Sequence, residues 1–317
     1  MIYAVWLPLL MPFLAVPVAR RGAGQLSPRS AAWALTALAL ILALAGTASL
    51  ALLALAGALH LPFVARIGHL SPRLLGDGSP ATVPAAVLAA VALAGLGALA
   101  LGRTRRHLLE LRAAQRQLRG KASAGDLCVR QDDRPDAYAL PGRPGRVVVT
   151  TGMLRALGAQ EREVLFAHER AHLTGRHHLF LAAAELAAAL HPALRGLRAP
   201  VSYALERCAD ESAARATGDR ALTARAVGRA ALAAHEAGSA PRPRLSLTAT
   251  AGPVPRRVTA LLSAPAPRSR LLPRALTCLL LCCVALSATA TLDAATDLHT
   301  GIEIAQGEQA PVPGGGH

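Results

Sequence analysis

The chain has 317 residues, 53% of them hydrophobic but only 3% aromatic, and its mean hydropathy of +0.36 is too high for an ordinary soluble domain. Its net charge of +15 comes almost entirely from arginine; these residues flank apolar runs without interleaved aromatics, so direct nucleic-acid binding is not expected. Five cysteines, three of them inside one apolar run (Cys278, Cys282, Cys283), exclude the spaced disulfide framework of a small secreted protein and point to a reducing compartment for the soluble part.

A helix needs about 20 apolar residues to cross a hydrocarbon core. Four segments qualify: 2–19, interrupted by Pro8, Pro12 and Pro17, then 31–58, 83–101 and 271–292. The first lacks a basic leader and has its arginines after it, as an anchor does and a cleaved signal peptide does not. Arg20, Arg21 and Arg29 follow the first segment, seven basic residues from Arg103 to Lys121 follow the third, and Arg268, Arg270 and Arg274 precede the fourth. Placing all of them on the cytoplasmic side gives one consistent topology. Residues 1–102 hold three transmembrane helices, 103–270 a cytoplasmic domain, 271–292 a fourth helix and 293–317 a short extracytoplasmic tail. The N-terminus is then extracytoplasmic too. The expected class is a mainly α, multi-pass cell-membrane protein with an α+β insert. Arg103–Lys121 reads as a basic amphipathic helix leaving the membrane against anionic lipid.

Within the insert, "AYAL", "PGRPG" and "RVVVT" (Ala137–Thr150) read as a hairpin of two short strands around a Pro/Gly turn. The pattern then becomes helical. Gln160, Glu161 and Glu163 load a helix N-terminus, and Leu181–Leu190 and Ser202–Thr217 continue as helices. "GSAPRPR" (Gly238–Arg244) and "SAPAPRSR" (Ser263–Arg270) read as linkers.

"VLFAHERAHLTGRHH" (Val164–His178) carries the chemistry. His168 and His172, four apart on a helix, project from one face and can share a zinc ion, and Glu169 beside the first can act as general base on the attacking water. The stretch also matches H-E-x-x-H-x-x-G-x-x-H, which would make His178 the third ligand of a metzincin. That fold needs a methionine turn downstream, and the only methionines are Met1, Met11 and Met153. The apolar stretch after His178 also keeps helical period, and Gly175 alone rarely breaks such a helix. The alternative third ligand is Glu206 in "LERCADESAAR" (Leu205–Arg215), with Asp210 one turn on to bond a ligand imidazole. Glu211 lies off that face. The bland reading of this stretch is a solvated acidic helix.

Together these motifs, over about Asp132–Arg215, resemble the gluzincin core of the BlaR/MecR-type membrane metallopeptidases and their HtpX-like relatives. The arrangement of three spans, insert and one span resembles the BlaR/MecR type more. The resemblance implies one Zn2+ held by His168, His172 and Glu206, with Glu169 catalytic and Asp210 behind the ligands. It also implies that Val147–Thr150, including Val148 and Val149, is an edge strand on which a protein or peptide substrate docks as an added strand. A winged-helix repressor is one such substrate.

Two departures stand out. Only about 25 residues follow Leu292, too few for a penicillin-binding sensor. The HtpX-like His-Pro pair before a late arginine is also missing: "AGPVPRRVTALL" keeps Arg256 and Arg257 alone, to stabilise an oxyanion or to face the membrane. His177 and His178 are expected to extend toward solvent or to cap carbonyls. His191 precedes Pro192 at a helix end, His235 lies on a helix with no ligand spacing, and His60 and His69 fall in the outer loop. The expected activity is that of a zinc metalloendopeptidase in regulatory signalling. Membrane-protein quality control and a non-catalytic zinc-containing signal transducer are the alternatives.

Overall fold

The structure, a computed structural model, describes residues 2–59, 63, 82–118, 123–237, 253–263 and 271–305. His60, His69 and the Gly238–Arg244 linker lie outside the described residues. Long helices precede and follow the insert: α1 (Ile2–Gly22), α2 (Pro28–Ala58), α3 (Thr82–Gln117) and α10 (Leu271–Ala305). Ser27 starts α2 by accepting from the Ser30 N–H at 3.2 Å, with Pro28 at the first helical position. Among the described residues three helices are long and apolar enough to cross a membrane: Pro28–Ala58, Val83–Gln117 and Leu281–Thr300. The expected first span corresponds to α1, which packs against α2 and α10. Helix α3 does not stop at residue 101. It runs unbroken through the arginines, because Arg, Leu, Gln and Ala all favour helix. Likewise α10 continues past Leu292 to Ala305, so the beginning of the expected tail is helical.

The insert holds a four-stranded sheet and six helices among the described residues. The strands are β1 (Ser123–Ala124), β2 (Leu127–Arg130), β3 (Ala137–Leu140) and β4 (Arg146–Thr150), in the order β1-β2-β4-β3. The expected hairpin is present, with Tyr138 opposite Val148 and Ala139 opposite Val147. The expected edge strand is not. β2 pairs in parallel with β4, Cys128 opposite Val148 and Val129 opposite Val149, so β4 is interior and β3 is an edge. Val148 and Val149 have no exposed surface. Both faces of β4 are covered: Val148 packs with Cys128, Tyr138 and Leu118 against the end of α3, and Val149 packs with Ala137, Met153 and Leu165 on the other face. An uninterrupted Val-Val-Val run suits such doubly covered strands.

After β4 come α4 (Thr151–Ala156), α5 (Ala159–Thr174), α6 (His177–Leu190), α7 (Arg198–Thr217), α8 (Arg220–Glu236) and α9 (Val254–Leu262). Thr150 caps α4 by accepting from Met153 N–H at 3.2 Å. Gly152 allows the 132–134 segment to cross here, since a Cβ would lie 2.1 Å from the Asp133 carbonyl oxygen. Helix α5 rests on the sheet through Leu165 and on α7 and α8 through Val164, Ala213, Leu222 and Ala226. At its N-terminus Glu161 accepts from Gly158 N–H at 2.9 Å and from Arg229 of α8 at 3.0 Å, which ties the two helices together.

Helix α6 packs on the long helices as much as on the insert. Its alanines and the turn after it (Leu194, Leu197) join a single core with Leu35, Ala39 and Leu42 of α2 and Ala15 and Val16 of α1. At its end, the His191 ring Nε2 is 3.0 Å from the Leu9 carbonyl and the ring lies edge-on to Phe13. Helix α6 therefore ends beside the middle of α1.

Candidate metal centre

Helices α5 and α7 cross so that two residues four apart on one face two residues four apart on the other. His168 Nε2 and His172 Nε2 are 3.1 Å apart. Glu206 Oε2 lies 3.5 Å from the first and Oε1 3.8 Å from the second. The three ligand atoms fall within 4.8 Å of one another, and all three residues are buried. Two imidazole nitrogens turned toward each other need a proton or a cation between them. A tetrahedral ion bonded to both at about 2.0–2.1 Å would hold them roughly 3.3 Å apart, and two imidazoles with one carboxylate leave a fourth position for water. Donor set and spacing fit a zinc ion.

The residues behind the ligands form a closed charge network. Asp210 Oδ1 is 3.1 Å from His168 Nδ1, at hydrogen-bonding distance but not well aligned. Arg257 of α9 grips Asp210 with two hydrogen bonds, Nε to Oδ2 at 2.8 Å and Nη2 to Oδ1 at 2.6 Å. Its Nη1 is 2.9 Å from Glu206 Oε2, close enough for charge attraction although outside a hydrogen-bonding direction. Burial alone would raise the Asp210 pKa, but Arg257 and His168 outweigh it and hold it at about 2. Burial opposes a charged His168, yet Asp210 and Glu206 raise its pKa to about 9, so this position attracts a cation. Glu206 is pushed up, chiefly by burial. Burial also opposes the Arg257 charge, and Glu206, Asp210 and Glu169 outweigh it. Glu169 itself has no exposed surface and sits beside the first ligand.

Arg257 does not face the membrane. It is fully buried, and its Nε, Nη1 and Nη2 are all directed at carboxylates, which is an ion-pair position. Arg256, its neighbour, lies 5.6 Å from the Tyr203 ring centroid as a cation–π pair. Arg220 fixes α9 by donating to the Leu261 and Ala260 carbonyls at 3.0 and 3.1 Å while pairing with Glu211. Glu211 is thereby turned away from the centre, as its place on α7 implies.

The chain does break after His172. Helix α5 ends at Thr174, Gly175 caps it, and Arg176 takes a left-handed φ of 49° before α6 begins. The expected continuous helix is therefore replaced by a corner, and the corner turns His177 inward. His177 is buried, with Nδ1 2.7 Å from Nδ1 of His172, and burial lowers its pKa to about 4. The expectation that it faces solvent is overturned. Gly175 is what the corner requires: a Cβ there would stand 2.4 Å from His177 Nε2. His178 is half-buried and is not part of the ligand cluster.

A buried His, His, Glu cluster with a glutamate beside the first histidine, carried on two crossing helices against a small sheet, defines a metallopeptidase of the zincin type. Residues 105–265, just over half of the chain, match Peptidase family M48, and the chain belongs to that family. No curated protein and no solved structure matches it.

Proposed function

We propose that the protein is an integral-membrane zinc metalloendopeptidase with the peptidase domain in the cytoplasm. The convergence of His168, His172 and Glu206 next to Glu169 carries the reading. In it the three residues hold Zn2+, which supplies Lewis-acid polarisation of the scissile carbonyl and acidifies water. Glu169 takes the proton of the attacking water and passes it to the leaving amine. Asp210 orients His168, and Arg257 holds Asp210 and balances the charge of Glu206.

The substrate is a protein segment, and the docking edge is β3, which borders the sheet where β4 does not. The four-span topology with extracytoplasmic termini follows from the arginine flanks, α1 serving as the first span. Regulatory cleavage, for instance of a winged-helix repressor, is supported by the position of the insert between the third and fourth spans, as in the BlaR/MecR type. One observation favours a second reading, membrane-protein quality control of the HtpX-like kind: Arg257, the late arginine of that pattern, lies at the centre. Comparing cellular proteins before and after depletion of the enzyme separates the two, since one repressor accumulates in the first case and many membrane proteins in the second.

The test of the chemistry is Glu169→Gln, measured on casein and for self-cleavage with zinc determined in parallel. Zinc is expected to stay while hydrolysis falls at least by the roughly 10²–10⁴-fold of a positioned acid–base group. Unchanged hydrolysis would remove Glu169 from its role.

A further inference from the structure

We propose that the groove between α3 and α6 is a binding site for one anionic phospholipid. The groove encloses about 640 Å3 and is lined by one face of α3, by the β3–β4 turn and by the N-terminal corner and outer face of α6. Two chemistries share its wall. Arg103, Arg143 and Arg176 contribute guanidinium groups, and among the described residues no carboxylate pairs with any of them. The one acid on the wall, Glu185, is paired with Arg198. The apolar part is formed by Leu108, Leu179 and Leu186, exposed at 48%, 52% and 38%. Three leucines clustered in one groove are uncovered apolar surface of the kind that marks a binding site.

The location selects the occupant. Helix α3 is apolar up to Leu101 and becomes basic at Arg103, and the groove follows it from Ala100 to Gln115, so the groove begins at the level where hydrocarbon gives way to headgroups. The C-terminal end of α6 lies beside the middle of α1, so Arg103 and Leu186 stand at the membrane end of the groove, Arg143 and Arg176 at the other, and Leu108 and Leu179 between them. A phosphodiester at the arginines with acyl chain along the leucines matches this mixed wall. An acidic peptide would use only the arginines. Arginine suits the headgroup because its planar fork meets phosphate oxygens two at a time. The groove also touches Leu173, next to the candidate ligand His172, so a bound lipid would hold the active-site helix against the membrane surface.

The test uses the full chain, purified in detergent, stripped of lipid and then exposed to phosphatidylglycerol or phosphatidylcholine, with bound lipid counted by native mass spectrometry. One phosphatidylglycerol per chain is expected to remain, and no phosphatidylcholine. Each basic residue near an anionic headgroup contributes roughly fivefold, so Arg103→Ala with Arg176→Ala should weaken retention about 25-fold. A control lacking Arg155 and Arg225, both exposed and outside the groove, should retain it. Should the double variant fail to fold, judged by helix content and zinc, the single changes Arg103→Gln and Arg176→Gln carry the test at about fivefold each. Equal retention of the two lipids, or equal loss in the control, would overturn the proposal. So would displacement by soluble glycerol phosphate, which assigns the site to a free phosphate ester, or by an acidic peptide, which assigns it to substrate. Hydrolysis plays no part in the readout, so this proposal and the peptidase reading fail separately.

Discussion

The Nδ1 atoms of His172 and His177 lie 2.7 Å apart between two buried rings. Burial lowers the pKa of both, to about 4 for His177 and well below the usual histidine value for His172, so neither ring is charged at neutral pH. A single proton then lies between the two nitrogens. With His172 offering Nε2 to a metal, its Nδ1 carries that proton and donates it to His177. Removing a partner that fixes a ligand's tautomer in this way costs about 10–100-fold in metal affinity. His177→Ala is expected to lose zinc to a chelator at correspondingly lower chelator concentration, with helix content kept. His177→Asp should recover most of the affinity, because a carboxylate accepts the same proton. Equal affinity in all three proteins would show that His177 merely fills space.

Arg257 carries a different burden. Its guanidinium is directed at both Asp210 and Glu206, which His168 also contacts, and the Arg257, Asp210 and Glu206 side chains are shut away from water. Taking away one partner of a buried ion pair leaves an uncompensated charge, at a cost of about 3–5 kcal/mol. Arg257→Met is therefore expected to lower the thermal unfolding midpoint in detergent by several degrees. Arg257→Lys should recover only part of the loss, since an ammonium cannot fork onto Asp210 as Nε and Nη2 do. A variant as stable as the parent would mean that the acid pair finds another partner or takes up a proton.

The features legible in the sequence are those with short-range periodicity. His168 with His172, and Glu206 with Asp210, could be paired because four residues is one helical turn, and the hairpin was marked by its Pro/Gly turn. The pairing of β2 with β4 was hidden, because a parallel contact between Leu127–Arg130 and Val147–Thr150 leaves no local mark. One sign of it was present. Three consecutive valines do not alternate, as in strands covered on both faces, a pattern that goes with parallel pairing. The inward turn of His177 depends on a left-handed Arg176, a conformation that residue type does not announce. Arg257 was visible only as one of two adjacent arginines, and which of them enters the centre was decided by the phase of α9.

The edge position of β3 leads to a test of substrate docking. Thr150 N–H donates to the Asp136 carbonyl at 2.9 Å, so residue 136 faces β4 and, by alternation, so do Tyr138 and Leu140. Ala137 and Ala139 direct their backbone groups away from β4. Ala139→Pro removes one outward N–H without touching the ladder to β4. If substrate adds as a strand here, kcat/KM on casein should fall by about tenfold, the equivalent of roughly one lost hydrogen bond in a dry contact, while zinc and unfolding midpoint stay. Tyr138→Pro, which deletes a ladder donor, should instead destabilise the domain. Unchanged kcat/KM in Ala139→Pro would place the docking edge elsewhere.

The number of membrane crossings follows from where the N-terminus lies. If α1, α2, α3 and α10 all cross, the N-terminus and the segment after Ala305 share one side, and the peptidase domain lies on the other. If only Pro28–Ala58, Val83–Gln117 and Leu281–Thr300 cross, the N-terminus joins the peptidase domain. The arginines at 20, 21 and 29 hold the short turn between α1 and α2 on the cytoplasmic side in either arrangement, so the side of the N-terminus alone separates the two. Three reporters decide it: one at the N-terminus, one after Lys121 and one at the C-terminus. A fusion after Thr291 would be uninformative, because that residue lies within the Leu281–Thr300 stretch of α10. The expected result is an exported reporter at both termini and a cytoplasmic one after Lys121. A cytoplasmic N-terminal reporter with the other two unchanged would reduce the count to three and make α1 a helix packed against the spans. An exported reporter after Lys121 would invert the whole arrangement and put the metal centre, with its substrate, outside the cytoplasm.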